Sequence, residues 1–187
     1  MTNILIGIAV TIVLLVAFVA MRPATFHVER SVTVGAPPER PFAQVNDFHA
    51  WPGWSPYEKK DPQMTRTFDG ASSGTGSIYA WNGDRNVGEG RMTIVRSDAP
   101  SQIVIKLEFL KPFSATNTAT FTFSPVPEGT QVTWAMDGNN NLLAKAVHLV
   151  MDMDKMVGDD FQRGLVALKS VAESVPRAVI GTARAVN

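Results

Sequence analysis

A series of short alternating runs, each closed by a turn signal, constrains the fold of this chain most. Phe26 to Val34 (FHVERSVTV) places Phe26, Val28, Val32 and Val34 on one side, with Arg30 interrupting the series. That period of two predicts a strand with one buried face. Six more runs follow. Met64 to Phe68 stops at Asp69-Gly70, Ser77 to Trp81 at Asn82-Gly83-Asp84, and Val87 to Arg96 at Ser97-Asp98-Ala99-Pro100. Gln102 to Leu110 stops at Lys111-Pro112, Ser114 to Phe123 at Pro125-Val126-Pro127-Glu128-Gly129, and Thr130 to Met136 at Asp137-Gly138. Ile103, Ile105, Leu107 and Phe109 share a face, as do Val132, Trp134 and Met136. In the run between them, Thr116, Thr118, Thr120 and Thr122 oppose Ala115, Ala119, Phe121 and Phe123, so one face is wet and the other dry. Connections this short join neighbouring antiparallel strands, and the single dry face requires a cover.

Two helical regions can supply it. Ala36-Pro37-Pro38-Glu39 opens a short helix running to Phe48, with Pro41 in its first turn. His49 to Pro56, broken by Pro and Gly, predicts a second short helix and a loop. After Asn139-Asn140-Asn141, a potential N-cap cluster, no proline occurs before Pro176. Leu142, Leu149, Met153, Met156, Phe161, Leu165, Leu168 and Val171 recur at helical spacing, so a long amphipathic helix to about Ser174 is expected on the sheet. Gly158 and Gly164 lower its intrinsic propensity, and a kink near Gly158 is compatible with the pattern.

From Ile4 to Met21 (ILIGIAVTIVLLVAFVAM) there is no charge. Eighteen residues of helix span about 27 Å, the thickness of a hydrocarbon core. A cleaved signal peptide is the competing reading; no Lys or Arg precedes the run and no A-x-A-like site follows it. The expected division is a transmembrane anchor at 1–22, one α+β domain at 23–175 and a tail at 176–187. Arg22 and Arg30, both after the apolar run, lean the domain towards the cytoplasmic side of a single-pass protein.

Lys plus Arg number 17 and Asp plus Glu 17, so no basic excess recommends nucleic acid as a partner. The absence of cysteine excludes disulfides, thiolate zinc sites and cysteine nucleophiles. G-x-S-x-G, G-x-x-x-x-G-K and a G-x-G-x-x-G after a strand are all missing. The VGEG segment puts two glycines in a strand, the mark of a bulge or bend. Glu89 and Arg91 fall on one side of that strand, as a polar patch in a cavity or as surface charges. His148 and Asp152, one helical turn apart with Asp154, Asp159 and Asp160 nearby, read as a solvated helix face. No metal and no cofactor is expected.

Four stretches give the chain a family resemblance: VERSVTVGAPPERPF; FHAWPGWSPYEKKDP; the pair VGEGRMTIV and IVIKLEFLKPF; and TWAMDG followed by the helix with FQRGLVALK. Over roughly Phe26 to Glu173 the sequence resembles the START-like (SRPBCC) superfamily, in its polyketide cyclase/dehydratase branch. The resemblance implies a helix-grip fold: a curved antiparallel sheet of six or seven strands around a long C-terminal helix, two short helices after the first strand, and a hydrophobic cavity between sheet and helix. The family spans lipid carriers, hormone receptors and cyclases, so it implies an apolar small ligand more than an activity.

By that resemblance Trp51, Trp54 and Tyr57 would form one rim of the cavity mouth, or else cap the core beneath the short helices. Trp81, Phe109, Phe121, Trp134 and Met136, on the dry face, are either core or pocket lining. Leu149, Met151, Met153 and Met156 enrich one part of the long helix in flexible side chains that suit an adaptable wall. A membrane-held carrier of a lipid-like or polyketide-like molecule is the first expectation. A cyclase-, dehydratase- or hydrolase-type enzyme on a similar molecule and a protein-interaction module are the alternatives. A buried acid–base pair would favour the enzyme, an aliphatic and aromatic lining the carrier.

Overall fold

The fold was obtained as a computed structural model, which describes residues 2–140, 145 and 152–174. Helix α1 spans Thr2–Ala20 and precedes strand β1, Thr25–Val34. Helix α2, Glu39–Asn46, follows, then two 3-10 helices, Phe48–Gly53 and Pro56–Lys59. Strands β2 (Thr65–Gly70), β3 (Ser77–Asn82), β4 (Glu89–Asp98), β5 (Gln102–Lys111), β6 (Ala115–Val126) and β7 (Gly129–Asn139) come next, and helix α3 occupies Met153–Ser174.

All seven strands form one antiparallel sheet in the order β1-β7-β6-β5-β4-β3-β2. Sequential hairpins build β2 to β7, and β1 closes on β7, as short connections between alternating runs require. The VGEG glycines do mark an irregularity: the β4–β5 register shifts between Glu89 and Gly90, and again between Ile94 and Arg96. Such shifts bend a sheet around what it covers. Here α3 lies in the hollow, giving the helix-grip architecture.

The core fills that hollow. Val34, Ile103, Ile105, Phe121 and Val132 from the sheet meet Leu165, Leu168 and Ala172 from α3, all fully buried. On β6 the threonines turn outwards while Ala119, Phe121 and Phe123 turn in, matching the alternation of the sequence. Arg30, which interrupted the pattern of β1, reaches onto α3, where its Nη2 donates to Asp154 Oδ2 at 2.9 Å and to the Asp154 carbonyl at 3.0 Å.

Four expectations shift. Helix α2 ends at Asn46 rather than Phe48, because the chain turns at Asp47, whose side chain caps the first 3-10 helix by accepting from the His49 N–H. Asn139 pairs with Thr25 as the last residue of β7, so it extends the sheet, while Asn141 of the expected cap cluster lies outside the described residues. The observed α3 cap is Asp152, whose carboxylate accepts from the Lys155 N–H at 3.0 Å. α3 runs without interruption through Gly158. Leu142, His148, Leu149, Met151, the side chain of Met153 and the tail from Pro176 lie outside the described residues.

The expectation of a membrane-spanning segment goes further than the structure does. α1 is helical over Thr2–Ala20, but among the described residues no helix is long and apolar enough to cross a membrane. That statement leaves aside side chains 1–3, 5 and 12, which fall outside the description.

Candidate functional site

Burial along the concave face of the sheet is graded. Towards one end, formed by the finish of β1, β3's start and the middle of β6, the inward side chains Val34, Ile103, Ile105, Phe121 and Val132 are sealed. Towards the other end, where β1 begins and β5 and β7 finish, the inward side chains Phe26, Met92, Leu107 and Phe109 are only half-buried. Trp81, Asn117 and Met136 complete this half of the face. Trp81 lies flat over Gly90, where a Cβ would collide with its ring, and meets Phe109 edge to face at 6.0 Å. The β4 glycine flagged by its position in a strand is therefore the floor on which the indole rests. Asn117 is a polar group in this apolar wall; its amide faces Met136 Sδ at 3.8 Å. An apolar surface with a single amide suits an apolar molecule that carries a polar atom.

The sealed half holds the aromatic residues read either as a rim of the mouth or as a cap on the core. Trp51 and Trp54 are buried beneath the short helices, and their indole N–H groups donate to the carbonyls of Val45 at 3.0 Å and Gln44 at 3.1 Å. They fasten the 3-10 segment to α2. Trp54, Tyr57 and Phe121 surround Trp134, which stacks on Phe161 of α3 with ring centroids 4.0 Å apart and planes 9° from parallel. The structure thus brings Trp51, Trp54, Tyr57, Phe121 and Trp134 into one cluster and sets Trp81, Phe109 and Met136 in the half-open part. The Trp134 indole nitrogen is buried without a hydrogen-bond partner, an unusual state for a donor that ordinarily finds one.

Two polar clusters flank the face. Glu58, on the second 3-10 helix, is buried; it accepts from the Tyr79 hydroxyl at 2.6 Å and from Arg66 Nε at 2.6 Å. Burial, reinforced by that carboxylate, raises the Tyr79 pKa above the ordinary tyrosine value. Asp160 of α3, also buried, pairs with Lys60 at 2.6 Å and with Arg163. Tyr57 beside it is held neutral above its usual range by burial and then by the charge of Asp160. Asp160, read with its neighbours as part of a solvated helix face, is instead buried, while Asp154 and Asp159 are exposed as expected. Nothing in the sequence singled out Glu58 or Arg66. Glu58 stands in the charged stretch YEKKD, which reads as surface.

Glu89 and Arg91 do not pair with each other. Arg91 meets Glu108 of β5 at 2.8 Å, its register partner, and Glu89 meets Lys111 at 2.6 Å. Asp154 and Asp160 are engaged by Arg30 and Lys60, and among the described residues no three His, Asp or Glu side chains converge in a metal-binding group. At the half-open end a separate, largely polar depression of about 370 Å³ is lined by Thr25, Phe26, Thr116, Thr118, Asp137, Gly138 and Asn139.

Comparison with known proteins gives the same architecture. The family model for polyketide cyclase/dehydrase and lipid transport matches residues 25–173. Solved structures are similar at low identity. One, from Chromobacterium violaceum, is 15% identical with a TM-score of 0.56, over 81% of this chain and 99% of that one. One from Rhodobacter sphaeroides is 16% identical with a TM-score of 0.59, over 80% and 93%. The di-domain ARO/CYC protein BexL, from the BE-7585A biosynthetic pathway, is 14% identical with a TM-score of 0.58, over 86% of this chain and 54% of its own. No curated protein matches the sequence.

Proposed function

Because the chain belongs to the polyketide cyclase/dehydrase and lipid transport family, we propose that it is a membrane-anchored carrier of a small hydrophobic molecule, lipid-like or polyketide-like. The molecule sits between the concave face and the C-terminal helix. The observation that carries this reading is the graded burial: an apolar wall of Phe26, Met92, Leu107 and Phe109 left half-open at one end of an otherwise sealed core. A core built only for stability gains most by closing that end, at about 25 cal/mol per Å² of apolar surface removed from water.

The anchor is α1. Ile4, Ile6, Ile8, Val10, Val13, Leu14, Leu15, Val16 and Phe18 are all exposed. A continuous apolar surface of this kind fits lipid better than water. Its one described hydroxyl, on Thr11, donates to the Gly7 carbonyl at 2.9 Å, as a hydroxyl in hydrocarbon must find an internal partner. Arg22 directly after the helix, and Lys145, whose Nζ donates to the Ala20 carbonyl at 3.0 Å, put positive charge at its carboxyl end and favour a cytoplasmic domain.

The second reading, a cyclase- or dehydratase-type enzyme, draws on the buried Glu58–Tyr79–Arg66 cluster beside the apolar wall and on the ARO/CYC name of a structural neighbour. Both Glu58 oxygens are already occupied, which favours the carrier.

Native mass spectrometry of the chain from Arg22 onwards, after exposure to a membrane extract, tests the reading. A reproducible apolar adduct is expected, and Leu107→Trp, which fills the half-open end, should abolish it while the domain stays folded. An adduct that survives Leu107→Trp, or none at all, would refute this site.

A further inference from the structure

The two ends of the sheet differ in their loops. At the end where β2, β3 and β4 meet the long connections of residues 71–76, 99–101 and 127–128, the sequences are Ala-Ser-Ser-Gly-Thr-Gly, Ala-Pro-Ser and Pro-Glu, with no large apolar side chain. At the opposite end Leu110, near the finish of β5, is 49% exposed, and Phe113, in the β5–β6 connection, is 68% exposed. Phe113 is the most exposed aromatic side chain among the described residues. The other exposed phenylalanine of the domain, Phe68 on β2, is 38% exposed and stacks against His49.

That end is also where α1 joins. Only residues 21–24 separate Ala20 from Thr25, and four residues reach at most about 14 Å. The joint is tied down as well: the Asn140 N–H donates to the Ala24 carbonyl at 2.8 Å, and Lys145 to Ala20 at 3.0 Å. In the sheet, β5 is three strands from β1. At about 4.8 Å per strand, the β5–β6 connection lies roughly 10–15 Å sideways from the exit of α1. The connection therefore lies within reach of a bilayer that holds α1. The same end carries the half-open part of the concave face. Lys111, the last residue of β5, is paired with Glu89 at 2.6 Å. With that charge offset, apolar insertion and not attraction to anionic lipid would drive contact.

We infer that the β5–β6 connection and the adjoining end of β5 form a membrane-docking element, with Phe113 and Leu110 entering the interfacial layer of the bilayer that holds α1. The half-open end of the concave face is thereby turned towards lipid, so a ligand passes between bilayer and protein without crossing bulk water. The inference rests on the anchored reading of α1, and the test separates the two.

The chain has no cysteine, so single-site labelling is direct on the full chain. Phe113→Cys, Leu14→Cys and Ser73→Cys would each carry an environment-sensitive fluorophore. Each protein is reconstituted into phosphatidylcholine vesicles containing lipids with a nitroxide either high on the acyl chain or near its end. The label at 113 is expected to shift to the blue and lose intensity about twofold with the shallow nitroxide. The label at 14 should respond to the deep nitroxide, and the label at 73, at the opposite end of the sheet, to neither. Quenching at 14 with a label at 113 that behaves like the one at 73 overturns the docking element and leaves the anchor standing. No quenching at 14 overturns the anchor, and the docking element with it.

Discussion

Replacing Gly164 by alanine should destabilise the domain although it improves the helix. In the interior of α3, Gly to Ala is worth about 1 kcal/mol of helix propensity. A Cβ at position 164, however, would lie 2.8 Å from Trp134 Cζ3 and 2.9 Å from Pro56 Cδ. Neither neighbour can yield easily: Trp134 is clamped against Phe161 at 4.0 Å, and the proline ring is rigid. Overpacking a core of this kind costs about 1–3 kcal/mol, leaving a net loss of up to about 2 kcal/mol. For a domain of this size that lowers the melting temperature by up to about 4–8 °C. Gly158→Ala is the internal control. Its Cβ would meet only the guanidinium of Arg30, the far end of a flexible side chain. Moving it sacrifices an exposed pair with Asp154 worth about 0.2–1 kcal/mol against the same helix gain, so the variant should be neutral or stabilised. Urea titration of both variants, followed by tryptophan emission, decides between them. If Gly164→Ala is stabilised as much as Gly158→Ala, the close approach of α3 to Trp134 is wrong.

Leu168 is fully buried where α3 meets the sheet, so Leu168→Ala should cost about 2–5 kcal/mol, visible as a lower urea midpoint; a loss below about 1 kcal/mol would mean the helix is not seated there. Tyr57 and Tyr79, the two tyrosines of the chain, both have pKa values raised in the folded state above the 10.0 of a free side chain. Their burial therefore contributes stability that is intact below about pH 10 and lost as pH rises towards the folded values. Tyrosinate absorbance should stay low near pH 10 and grow at higher pH together with unfolding; half-titration at pH 10 in the folded protein would contradict the burial of both rings.

The strands were legible because their chemistry is local. The Ile103-Ile105-Leu107-Phe109 series needs only a pleat and one dry side to be read. The bulge at Glu89–Gly90 followed from glycines in a strand. What could not be read depends on contacts between distant segments. Glu58 looks like its lysine neighbours until the second 3-10 helix folds it against Tyr79, 21 residues on. Trp51 and Trp54 are aromatic whether they rim a mouth or staple a helix; only the carbonyls of Gln44 and Val45 distinguish the two. Arg30 broke an alternation for a reason that sits 124 residues away, at Asp154. Likewise, which half of the dry face stays half-open depends on where α3 lies, a question of packing and not of pattern.

An open sheet has two outer strands, and each can recruit another chain through its unpaired main-chain groups. In this sheet those strands are β1 and β2. On β1 two outward carbonyls are occupied from within, Thr33 accepting from Lys169 and Glu29 from Arg30, each at 2.7 Å, and just past the strand the Gly35 N–H donates to Glu173 at 2.5 Å. β2 is six residues long and ends in Asp69-Gly70, too brief to template much pairing. Confinement to a surface, as proposed for this chain, crowds molecules in two dimensions and multiplies their encounters. The side chains of α3 that plug β1 would then act as a safeguard against sheet-to-sheet polymerisation, apart from any part they take in holding the helix down.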